Sequence, residues 1–83
     1  MKIAKMAEAY NLPMAPHGPD EVHTHLVCAV PNGHIIEHVR GDAGGLGWVA
    51  NPLKSVDGYF APHDAPGHGV RLNEELLDRC KVA

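Results

Sequence analysis

Four groups of residues in this chain have side chains and spacings that could do chemistry. His34-Ile35-Ile36-Glu37-His38 matches the H-x-x-E-H string, in which two histidines hold zinc and the glutamate beside them is the general base. That chemistry needs both histidines on one face of a helix. Here the five residues lie between Pro31-Asn32-Gly33 and Gly41, which leaves too little room for a metal-bearing helix, and Ile35, Ile36 and Val39 favour a strand. His23 and His25 could hold a metal from a strand, where side chains two apart share a face, but on a helix they diverge by about 200°. His25 is then expected near the Leu26 side and His23 nearer solvent. His63 and His68 lie in a Gly/Pro-rich stretch with no ligand spacing and read as solvated loop histidines. His17 and Glu37 differ by placement, because each falls at the C-terminal end of an expected strand.

Those strands follow from the elements on either side. Ile3, Met6, Ala7 and Tyr10 recur at helical spacing among Lys2, Lys5 and Glu8, so an amphipathic helix is expected over residues 2–10, closed by Asn11. Residues 12–18 are short, apolar and carry Pro13 and Pro16, which makes them extended, a buried strand ending at His17. Asp20 offers an N-cap to a second helix with Val22, Leu26, Ala29 and Val30 on one face, and Pro31-Asn32-Gly33 stops it. Residues 34–39 form a second short strand. Glycines and prolines then punctuate residues 40–72 so closely that no long element fits. Asp57-Gly58 marks a turn beside a short Tyr59-Phe60 strand, and Asn73 caps a last helix with Leu76, Leu77 and Cys80 on its apolar side.

Strand, helix and strand in that order read as a parallel crossover, whose sheet is normally covered by helices. At the C-terminal end of such strands side chains converge on a ligand. A histidine there can act as general acid or base, and a carboxyl can hold a substrate by a hydrogen bond. The alternative is that His17 and Glu37 only cap strand ends facing water. Two strands do not make a stable sheet by themselves, so the fold class expected is a slice of an α/β protein.

Composition narrows the function classes. The chain has 83 residues, which make one domain at most with a marginal core. Small scaffolds usually answer that shortage with disulfides, a metal or a partner. Cys28 and Cys80 are the only cysteines, and one bridge is no disulfide framework, so a reduced, cytoplasmic setting is expected. The longest apolar runs, such as residues 26–30, are far short of a membrane span. Net charge is −3 with seven scattered Lys and Arg, which argues against nucleic acid, a partner that requires a basic patch. Seven His, nine Gly and seven Pro accompany one Phe and one Trp, much site chemistry on little aromatic core.

The residues also resemble a known family. Ala15-Pro16-His17-Gly18, then Val22-His23-Thr24-His25-Leu26 with Ala29-Val30-Pro31-Asn32-Gly33, then Ile36-Glu37, resemble the seventh and eighth strand regions of the mandelate racemase/muconate lactonizing branch of the enolase superfamily. Asn51-Pro52-Leu53, Asp57-Gly58-Tyr59, Pro66-Gly67-His68-Gly69-Val70 and Leu72-Asn73-Glu74 resemble its tail, which leaves the barrel and returns to a capping domain. The match is collinear and covers nearly the whole chain. The resemblance implies the last two strand–helix units of a (β/α)-barrel within residues 1–46 and the tail with its last helix in residues 47–83.

Such enzymes abstract a proton α to a carboxylate, hold the enediolate with magnesium, and use a Lys or His as base. By resemblance, His17 is the catalytic histidine of the seventh strand and Glu37 the acid of the eighth, which hydrogen-bonds the substrate carboxylate or steadies the enediolate. A histidine at that place implies racemase-like or sugar-acid dehydratase members rather than lactonizing ones. The family's metal-binding carboxylates, its second base and the aspartate partner of the histidine belong to strands two to six, which have no counterpart here. Asp20, Asp42, Asp57, Asp64 and Asp78 stand in the wrong places to replace them, His68 replaces an apolar residue of the Pro-Gly-x-Gly turn, and Met1 falls within the sixth barrel helix.

The expectation is thus a C-terminal fragment of a magnesium-dependent racemase or dehydratase, inactive alone and binding no metal by itself. It would take a hydroxy-acid or sugar-acid substrate only within a complete barrel, joined to an N-terminal complementing fragment or to itself. The rivals are a small stand-alone interaction module and a His-rich metal-binding protein.

Overall fold

The computed structural model describes residues 1–38 and 47–82. Val39 at the end of the expected second strand, Asp42, the glycines at 41, 44 and 45 and the 46/47 boundary lie outside the described residues.

The first helix, α1, runs Lys2–Ala9. Asn11 takes a left-handed φ of 56°, which Asn tolerates better than most residues. Leu12 N donates to Ala7 O at 2.9 Å and Asn11 N to Glu8 O at 2.9 Å, the paired bonds of a Schellman ending. The apolar stripe read from the sequence is present but faces outward: Ile3 is 68% exposed and Met6 62%, with Tyr10 exposed beside them. The residue α1 buries is Ala4, whose carbonyl accepts from Asn32 Nδ2 at 3.0 Å. The small residue permits close approach to the turn after the next helix, and the larger ones meet no cover.

That helix, α2, spans Asp20–Cys28 and corrects two expectations. Pro19, not Asp20, occupies the N-cap, and no side chain caps the end. The buried face is also polar, formed by Asp20, Glu21 and Thr24, while Leu26 is exposed and Val22 half-buried. Thr24 Oγ1 donates to Asp20 O at 2.7 Å, and the Asp20 carboxylate turns to His38.

The expected strands appear as two isolated parallel pairings, Met14 with Gly33 and His17 with Glu37. Met14 N donates to Asn32 O at 2.8 Å, His34 N to Met14 O at 3.0 Å, and Glu37 N to Pro16 O at 3.0 Å. Pro13 and Pro16 carry no N–H, so a continuous ladder cannot propagate through them. The two pairings are also out of step. Three residues lead from Met14 to His17 and four from Gly33 to Glu37, so the second segment holds one extra residue, as a bulge does.

In the tail, Val49 pairs antiparallel with Leu72, and Val56 with Tyr59. Asp57 and Gly58 have φ of 51° and 81°, the doubly positive signature of a tight hairpin turn. Two asparagines tie the tail. Asn51 Nδ2 donates to Gly69 O at 2.9 Å and its Oδ1 accepts from Arg71 N at 2.7 Å, while Asn73 Nδ2 donates to Gly47 O at 2.9 Å. The third helix, α3, covers Glu74–Arg79, and Asn73 Oδ1 accepts from Leu76 N at 3.2 Å, the expected cap. Its apolar side is not packed: Leu76 is half-buried, and Leu77 and Cys80 are exposed.

Among the described residues only Ala4, Val30 and Val49 are buried hydrophobics. The chain exposes 6466 Å², where a compact monomer of its 8.9 kDa would expose about 4,800 Å². Its radius of gyration is 14.6 Å, against about 12 Å for a compact domain of this length. The shortage of core is therefore a shortage of covering elements. No helix of the described residues is long and apolar enough to cross a membrane.

Candidate active site

The parallel pairing of residues 17 and 37 sets two titratable side chains face to face. His17 Nδ1 lies 3.7 Å from Glu37 Oε2. That separation is too long for a hydrogen bond, so neither group's bonding capacity is taken up by the other. The side chains are 60% and 69% exposed, open to a third molecule. An imidazole that can exchange a proton beside a carboxyl that can accept or donate one is a minimal acid–base pair.

The neighbouring histidines have other work. His38 Nδ1 meets Asp20 Oδ2 at 2.5 Å, and its ring stands edge-on to Phe60 with centroids 4.9 Å apart. Residues 34–38 lie outside any helix, so the geometry required by the H-x-x-E-H motif is not formed. His25 Nε2 lies 3.1 Å from His68 O, which ties α2 to the tail. His68 is exposed, as expected, and its Nδ1 accepts from Val70 N at 3.1 Å.

Two histidines correct the sequence reading. His23 turns inward, not toward solvent: its ring packs beside Gly18 and lines a cavity of about 210 Å³ with Ala4, Met14, Pro16 and Leu26. His63 is half-buried against Gly69 rather than solvated. His23 Nδ1, His63 Nε2 and Glu21 Oε2 are buried without a hydrogen-bond partner among the described residues.

Asp20 and His38 are the residues that sequence reasoning missed as a pair. No local signal marked it, because the two residues lie 18 apart and meet only through the fold. Among the described residues no three His, Cys, Asp or Glu side chains converge where they could share a metal ion.

The sequence has counterparts among known proteins. Residues 1–76 match the family model described as enolase C-terminal domain-like. The chain belongs to the enolase C-terminal domain-like family. Its α/β character agrees with the alternation of helices and parallel pairings. The chain is 36% identical over 84 residues to a 3,6-anhydro-alpha-L-galactonate cycloisomerase of Streptomyces coelicolor, covering 98% of this chain and 22% of that protein. It is 39% identical over 95 residues to a D-galactonate dehydratase of Pectobacterium atrosepticum, covering 99% of this chain and 25% of that protein. A D-galactonate dehydratase of Verminephrobacter eiseniae is 36% identical over 89 residues, covering 93% and 23%. The chain thus spans less than a third of the length of the curated relatives it matches. No solved structure matches it.

Proposed function

We propose that these residues supply the last two strand–helix units and the returning tail of a (β/α)-barrel that abstracts the proton α to the carboxylate of a sugar acid or hydroxy acid. The observation that carries this reading is the His17–Glu37 pair, face to face at 3.7 Å and open to solvent. His17 takes the α-proton. Negative charge then moves onto the carboxylate oxygens, and Glu37, in its carboxyl form, steadies them by a hydrogen bond. Return of the proton to the same face gives exchange alone, and racemisation needs a proton delivered to the opposite face by the second base, which belongs to strands outside these residues. Loss of a β-hydroxyl, which leaves as water by taking the proton that His17 has just accepted, gives dehydration, the reaction printed in the names of two of the relatives above.

Magnesium supplies the charge stabilisation in complete enzymes of this type. The described residues do not fit it, because they offer no converging set of three ligands, and no step here runs through it. The remaining strands, with their metal ligands and the orienting partner of His17, belong to residues beyond these 83. The outward stripe of Ile3 and Met6 and the surplus exposed surface support that reading. Cys28 and Cys80, both free and exposed, suit a reduced, cytoplasmic setting.

The test is complementation. The chain is co-expressed with the part of the Pectobacterium atrosepticum relative outside the matched segment, and α-proton exchange of D-galactonate is followed in deuterated water with magnesium. Exchange by the assembled pair and none by either part supports the proposal. Exchange by the 83-residue chain alone refutes the need for a complete barrel, and a well-assembled inert pair refutes the activity. The exposed apolar surface also favours a second reading, a stand-alone interaction module, which a compact monomer with cooperative unfolding would support.

A further inference from the structure

Glu37 has little to hold it. Its side chain is 69% exposed and, among the described residues, its one ion-pair contact is with His17, at 3.7 Å. One backbone bond, Glu37 N to Pro16 O at 3.0 Å, fixes it against the partner segment. The extra residue between Gly33 and Glu37 puts this pairing one step out of register with the pairing before it. In extended backbone a slip of one residue sends every side chain to the opposite face. The carboxyl therefore needs a register lock, and the adjacent residue has the contacts to be one.

We infer that Asp20 and His38 form a positioning pair that holds the Glu37 carboxyl over His17. The inference rests on the proposed role of Glu37, and its structural half can be tested without activity. Asp20 is buried at the first turn of α2 and does no capping, so its carboxylate is available to bind. Oδ2 accepts from His38 Nδ1, and the Phe60 ring closes on the imidazole. Thr24 Oγ1 donates to Asp20 O in the same turn, which occupies the Asp20 carbonyl and leaves the carboxylate to His38. The His38 ring is thus fixed between α2 and the tail. Successive extended side chains leave the backbone on opposite sides, so a fixed His38 turns Glu37 toward His17. If the segment slipped by one residue, His38 would leave Asp20 and the buried carboxylate would lose its hydrogen bond.

Asp20→Ala and Asp20→Asn variants of the 83-residue chain test this by NMR. The readout is the nuclear Overhauser cross-peak between the His17 ring protons and the Glu37 side-chain methylene. We expect Asp20→Ala to abolish it while the α1 amide pattern persists, and Asp20→Asn, whose amide oxygen still accepts from Nδ1, to restore it. In the assembled barrel Asp20→Ala should lower kcat about 100-fold, the scale set by a misplacement of about 1 Å, with KM little changed. A cross-peak that survives Asp20→Ala overturns the inference. So does unfolding of both variants, which would make Asp20 a support of the fold rather than of Glu37. An inert native assembly would refute the proposed function and leave the NMR result to decide the positioning role.

Discussion

Gly33 lies so close beneath Val27 that a β-carbon on it would come within 2.1 Å of the Val27 carbonyl oxygen. The contact is with backbone, so it cannot be relieved by a rotamer change. It lets the chain turn tightly out of α2 and pair Gly33 with Met14.

Gly33→Ala should therefore destabilise the chain by about 1–3 kcal/mol, the cost of forcing packed atoms apart. Gly58→Ala is the comparison. Gly58 meets nothing within 4 Å, and its positive φ alone costs about 1–2 kcal/mol. Urea unfolding of the two variants measures the difference. A Gly33 variant as stable as the native chain would show that α2 and the following segment are not held at this separation.

Asn51 bridges two backbone groups of the returning segment, Gly69 O and Arg71 N. Asn51→Ala should leave both without their partner and speed exchange of the Arg71 amide about fivefold, as expected for one lost hydrogen bond of about 1 kcal/mol. Asn51→Asp keeps the acceptor for Arg71 N and should preserve that protection. Equal exchange in all three chains would mean that Asn51 does not hold the tail.

Local signals in the sequence were legible where one residue decides the structure. Asn11 ends α1, Asp57-Gly58 turns a hairpin and Asn73 caps α3, each through its own backbone or side-chain chemistry. The parallel approach of His17 and Glu37 was also legible, because a short crossover helix between two extended segments allows few other arrangements. Burial was not. The apolar stripe of α1 faces out, and α2 buries Asp20, Glu21 and Thr24, because hydrophobic periodicity reports which face wants cover and not whether cover is present. The Asp20–His38 pair joins residues 18 apart through the fold, and no local pattern marks it.

His17 and Glu37 should divide their effects in the assembled barrel. His17→Asn removes the base and should lower α-proton exchange by about 10²–10⁴-fold. Glu37→Gln keeps a hydrogen-bond donor toward the developing charge, so it should lower exchange less than Glu37→Ala, for which about 10²–10³-fold is expected. Isotope exchange at saturating substrate measures both. Full exchange in the His17 variant would show that the proton leaves by another group.

The exposed stripe on α1 makes a prediction about assembly. Ile3 and Met6 present adjacent apolar side chains to solvent, and contiguous apolar surface of this kind draws in either a covering partner or another copy. Val82 is more exposed than either, at 95%, but belongs to no helix face. The double variant Ile3→Glu with Met6→Lys should therefore lower self-association of the 83-residue chain and weaken its capture by the rest of a barrel, whereas Val82→Ser should change neither. Sedimentation velocity over a range of concentrations reads the first effect and co-purification the second. If the native chain sediments as a monomer at every concentration and unfolds cooperatively, α1 needs no cover, and the stand-alone module becomes the better account of this surface.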